Sequence, residues 1–102
     1  MFRVKQKLPP IKGAAKYSLA WSNDPNIVTN DGIIVYLLWN SNSIVYVGMS
    51  TNFRKRLKYH KSSASKGFTH FTMIECGSIA DAVWLEAALI LKHKPRHNKE
   101  FL

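Results

Sequence analysis

Two runs in the middle of the chain carry the strongest hydrophobic pattern. Ile33-Ile34-Val35-Tyr36-Leu37-Leu38-Trp39 is continuously apolar, β-branched and aromatic, which predicts a strand buried on both faces. The turn cluster Asn40-Ser41-Asn42-Ser43 leads to a second run, Ile44-Val45-Tyr46-Val47-Gly48, so the pair predicts a hairpin. Thr51 or Asn52 can cap a helix reaching Ser62, and after the Ser- and Gly-rich loop at 62–67 the stretch His70 to Cys76 predicts a third strand. Ser78 with Asp81 three residues on is a helix start, Ile79 to His93 its body and Pro95 its stop. The order ββαβα predicts an α+β fold: a small three-stranded antiparallel sheet flanked by helices.

The first 31 residues are less regular. Lys5, Lys7, Lys12 and Lys16 make them basic, and Pro9-Pro10 blocks early regular structure. A short helix over Ala14 to Trp21 is expected to lay Tyr17 and Trp21 on the main body. Asn23-Asp24-Pro25-Asn26 and Asn30-Asp31-Gly32 predict turns. Residues 1–31 thus form a basic appendage to a domain at 32–102.

Composition narrows the classes. A chain of 102 residues, 46% apolar and 12% aromatic, makes one domain with a core. Its 15 Lys+Arg against 6 Asp+Glu give a net charge of +9, which points to a polyanionic partner, nucleic acid ahead of membrane. The single Cys76 excludes an intramolecular disulfide and a Cys-rich zinc site. The longest apolar run is too short to span a bilayer, and Met1 to Pro10 has no secretory pattern. A soluble cytoplasmic protein, associated with DNA, is the expectation.

Three features ask for chemistry. Between Ala82 and Leu91 every residue is apolar except Glu86. It sits on a solvent stripe, pairs with an arginine, or ligates a metal in a cleft, because an unpartnered buried carboxylate is costly. On the middle helix, Arg54, Lys55, Lys58 and Lys61 fill one arc, expected to face solvent or phosphate. Arg56 and His60 share the opposite side with Phe53, Leu57 and Tyr59. In the hairpin, register decides whether Tyr36 and Tyr46 act together: a four-residue loop pairing Trp39 with Ile44 puts them on opposite faces, and a loop of three or five residues pairs them directly. His93 and His97 have a helical metal-pair spacing, but Pro95 interrupts it.

Taken together these residues resemble the GIY-YIG nuclease family over residues 33–98. Ile34-Val35-Tyr36 is similar to its first tripeptide and Tyr46-Val47-Gly48 to its second. Arg56 and His60 fall at family positions, Glu86 resembles the metal-binding glutamate, and Lys94-Pro95-Arg96-His97-Asn98 the closing motif. The departures are Ile34 for the first glycine and valine for isoleucine in both tripeptides. The resemblance implies a DNA endonuclease that hydrolyses phosphodiester bonds with one divalent cation, Mg2+ or Mn2+, and leaves 5′-phosphate and 3′-hydroxyl ends. Glu86 would hold the cation, Arg56 stabilise the pentavalent phosphate, and Tyr36 act as general base toward the attacking water, with His60 easing its ionisation or taking the proton. Tyr46 would position water or phosphate, and Asn98 the end of the Glu86 helix. Arg54, Lys55, Lys58, Lys61 and His70 are the candidate nucleic-acid contacts. Duplex or branched DNA is the implied partner, with low sequence specificity or structure selectivity, for a monomer or homodimer. The residues themselves do not separate DNA from RNA. A non-catalytic nucleic-acid-binding module on the same fold is the alternative.

Overall fold

The computed structural model describes residues 15–28, 32–62 and 67–101. The basic stretch from Lys5 to Lys12, the Asn30-Asp31 turn and most of the loop after Ser62 lie outside them. The elements run β1 (Tyr17–Ser18), a 3-10 turn (Leu19–Trp21), β2 (Ile33–Asn40), β3 (Ser43–Ser50), α1 (Phe53–Ser62), β4 (His70–Cys76), α2 (Ile79–His93) and a closing 3-10 segment (Arg96–Phe101). They form one antiparallel sheet in the order β1-β4-β2-β3.

β2 lies inside the sheet and is buried from Ile34 to Leu38, as its continuous apolar run requires. Its alternate residues feed two cores. Ile34, Tyr36 and Leu38 pack with Phe53 and Leu57 of α1 and with Phe71. Val35 and Leu37 pack with Ala82, Leu85, Leu89 and Ile90 of α2. Both helices begin on a side-chain cap: Asn52 Oδ1 accepts from Lys55 N at 3.3 Å, and Ser78 Oγ from Asp81 N at 3.1 Å. Lys94 closes α2 in the left-handed conformation, φ 46°, its N–H bonded to the Ile90 carbonyl.

The sheet has a fourth strand beyond the three expected, because the N-terminal segment is built into the body. The expected helix over Ala14 to Trp21 is replaced by β1, paired with β4, and by the 3-10 turn. Tyr17, Leu19 and Ile27 pack on the α1-side core and Val28 is fully buried in it, whereas Trp21 is exposed. A two-residue strand extends the sheet by few hydrogen bonds, so its formation depends on apolar docking that local propensity does not encode.

Candidate active site

The hairpin register decides the site. The turn is tight, with Asn40 opposite Ser43 and Trp39 opposite Ile44. Left regular, that register would put Tyr36 and Tyr46 on opposite faces. Instead the pairing shifts after Leu38, which lies opposite Tyr46, so Val45 is an extra, unpaired residue. Val45 and Tyr46 therefore both turn to the α1 side, and Tyr46 joins Tyr36 there with ring centroids 6.1 Å apart. The two tyrosines share a face without being partners: Tyr36 lies opposite Gly48.

Gly48 is the seat of Tyr36. A Cβ at that position would lie 2.5 Å from Tyr36 Cζ and Oη and 2.9 Å from Tyr46 Cε2, so no side chain fits beneath the two rings. Phe53, at the start of α1, packs against Tyr36 with centroids 5.0 Å apart. The Tyr36 ring is fully buried, and its hydroxyl stands 2.8 Å from His60 Nε2. His60 is buried as well and lies 5.0 Å from the Tyr46 ring. Helical periodicity brings Arg56 one turn before it, where its guanidinium comes near enough to the same hydroxyl to favour its ionised form. Of the residues expected on the inner side of α1, the structure buries Phe53, Leu57 and His60, and leaves Arg56 and Tyr59 exposed.

Burial pushes the Tyr36 phenol well above its ordinary value, and neighbouring Tyr46 pushes it further. Arg56 opposes both, and the Glu86 carboxylate adds to them. Glu86 stands at the margin of the buried stripe of α2, between Ala82 and Ile90 one turn to either side, in a shallow cleft with Val83 and Ala87. It is half-buried, and burial alone raises its carboxyl.

The family model of the GIY-YIG catalytic domain matches residues 32–100. The chain belongs to the GIY-YIG family. It is 32% identical over 72 residues to UvrABC system protein C of Thermosipho africanus (strain TCF52B), a match covering 63% of this chain and 13% of that protein. Its fold is that of the GIY-YIG N-terminal endonuclease domain of UvrC from Thermotoga maritima, crystallised with its catalytic divalent cation, magnesium: TM-score 0.61, 20% identity, covering 74% of this chain and 92% of that one. An asparagine-to-alanine variant of the same domain, also bound to its catalytic divalent cation, aligns with TM-score 0.61 at 21% identity, over 74% of this chain and 91% of that one.

Within the GIY-YIG frame, Tyr36, Tyr46, Arg56 and His60 come together around one hydroxyl, with the Glu86 carboxylate acting on it. Asn98 has a different position from the one expected. It is fully buried and turned to the edge strand: its Oδ1 accepts from Val47 N at 2.8 Å and its Nδ2 donates to Val47 O at 3.0 Å. It thereby pins the closing segment to the backbone between Tyr46 and Gly48, and does not reach for the end of α2. His70 lies opposite Trp39, so it faces the α2 side of the sheet, away from Tyr36. Its Nδ1 is 2.7 Å from Thr69 Oγ1.

The basic arc of α1 is split. Lys55 and Lys58 are exposed. Arg54 is half-buried, with Nη2 donating to the Val28 carbonyl at 2.8 Å, and Lys61 Nζ reaches Ser22 Oγ at 2.9 Å. The N-terminal segment thus engages both flanks of a face that periodicity alone presents as free. Gly48 and Val45 are the positions that sequence reasoning passed over as parts of the site. The sequence signals for Gly48 are its place at the end of the second family tripeptide and a glycine ending an otherwise strand-forming run, which marks close backbone approach.

Proposed function

We propose that this chain is a divalent-metal-dependent endonuclease that hydrolyses DNA phosphodiester bonds, with Glu86 holding the cation. The observation that carries the reading is the convergence of Arg56 and His60 on the buried Tyr36 hydroxyl. The fit to a cation rests on Glu86 itself: a half-buried carboxylate raised by burial and by no other group. Among the described residues no three candidate ligands gather, so one carboxylate would share the ion with water and phosphate oxygens. That donor set suits magnesium, which keeps several waters. When bound, the cation would offset charge on the phosphate and the leaving 3′ oxygen. The magnesium recorded for the UvrC domain of Thermotoga maritima supports the same choice.

Each side chain then has a task. Tyr36, held neutral by its buried setting, takes the proton of the attacking water as its own proton passes to His60 Nε2, 2.8 Å away. His60 is therefore the final proton acceptor of this relay, and Tyr36 its intermediate. Arg56 meets the phosphate and stabilises the pentavalent state. Tyr46 orients water or phosphate, and Asn98 is a positioning residue acting through β3. Lys55 and Lys58 contact flanking phosphates without reading bases, which gives low sequence specificity or selection of DNA shape.

Nicking of supercoiled plasmid with magnesium or manganese, in wild type and Glu86→Ala, tests the reading. Metal-dependent nicking lost in the variant is the expected result. Salt-dependent DNA binding with intact plasmid under both metals would refute it in favour of a non-catalytic binding module.

A further inference from the structure

Tyr59 leaves an aromatic ring 56% exposed on the cationic helix. One face of that ring carries Arg56, whose Cζ lies 5.2 Å from the centroid, within cation–π range. Its other ring contact is edge-on to His60, with centroids 5.4 Å apart and planes at 67°. Tyr59 thus touches both residues that gather at the Tyr36 hydroxyl: His60, which bonds it, and Arg56, whose charge acts on it. Arg56 needs such a support. It is exposed, and a long, flexible side chain at a surface loses much rotamer entropy when fixed in one place. A residue three positions on along a helix is where a neighbour can hold it.

We propose that Tyr59 is a positioning residue for Arg56: the face of its ring holds the guanidinium at the Tyr36 hydroxyl before substrate arrives. The ring does this, not its hydroxyl, so phenylalanine serves and leucine does not. The kinetic consequence rests on the nuclease reading above; the geometric one does not.

The test uses the whole chain in three forms: wild type, Tyr59→Phe and Tyr59→Leu. Nitrogen-15 relaxation of the Arg56 Nε–Hε group is measured without metal or DNA. An ordered group in wild type and Tyr59→Phe that becomes flexible in Tyr59→Leu is expected. Plasmid nicking should then show kcat lowered about two- to fivefold in Tyr59→Leu, the range of an exposed cation–π contact. Tyr59→Phe should restore it, and the Kd for DNA should stay level across all three. Two results overturn the proposal. One is an Arg56 side chain equally mobile in all three forms, or equally ordered in all three. The other is Tyr59→Leu weakening DNA binding at unchanged kcat, which would make the ring a stacking platform for a base. If wild type does not nick, the nuclease reading fails, and the relaxation measurement still decides the role of Tyr59.

Discussion

Gly48→Ala adds one methyl group where there is no room for it. The new Cβ would stand 2.5 Å from Tyr36 Cζ and Oη, whereas carbon atoms in favourable contact stand about 3.5–4.0 Å apart. Tyr36 would have to retreat by roughly 1 Å. It has little space to do so, because its ring is fully buried and packed on Phe53 at 5.0 Å and His60 at 5.6 Å. Overpacking of this kind costs about 1–3 kcal/mol, and the lost backbone freedom of glycine in the unfolded chain returns about 0.4–1 kcal/mol. The net destabilisation is then about 1–2 kcal/mol, a fall in Tm of several degrees for a domain of this size. The functional effect is larger. A 1 Å displacement of the hydroxyl breaks its geometry with His60, 2.8 Å away, and misplacement on that scale costs about 100-fold in rate. Thermal melting and plasmid nicking on the same preparation give both quantities. Gly48→Ala with wild-type Tm and wild-type nicking would refute the account, since Tyr36 would not then be seated on the glycine.

Further outcomes follow from single groups. Asn98→Ala strips both partners from the Val47 backbone, and should cost about 2–6 kcal/mol in urea denaturation, at about 1–3 kcal/mol per orphaned buried group; a loss below that would mean water replaces the amide. With the folded Tyr36 phenol held above its ordinary value by burial, the native chain keeps a proton that the unfolded chain releases as the solution passes the ordinary tyrosine pKa. Stability should therefore fall as pH rises above about 10, by at most about 1.4 kcal/mol per pH unit from this group. Tyr36→Phe should remove that slope, and an unchanged slope would sink the assignment. Glu86→Gln relieves a half-buried carboxylate, so the variant should melt above wild type in a chelator and lose the stabilisation that magnesium gives wild type. Equal magnesium stabilisation of both would place the cation elsewhere.

Much of the molecule is determined by the sequence alone. The continuous run from Ile33 to Trp39 required burial on both faces, and β2 is buried on both. Ser78 and Pro95 bracket α2, and Asn52 starts α1, because caps and proline act within a few residues of the backbone they terminate. Glu86 was conspicuous for a similar reason: one charge in an apolar helix stands out without any coordinates. What the tertiary structure decided depends on contacts between distant segments. The two tyrosines share a face because of a single unpaired residue, Val45, and a bulge is set by packing against α1 that no local pattern encodes. Arg54 and Lys61 look free on the helix and are engaged by Val28 and Ser22, since periodicity orients a side chain without saying what covers it. Asn98 shows the same division. Its place in a closing motif is legible, but its role follows from an edge strand with backbone groups to satisfy, and which strand lies at the edge is a property of the assembled sheet.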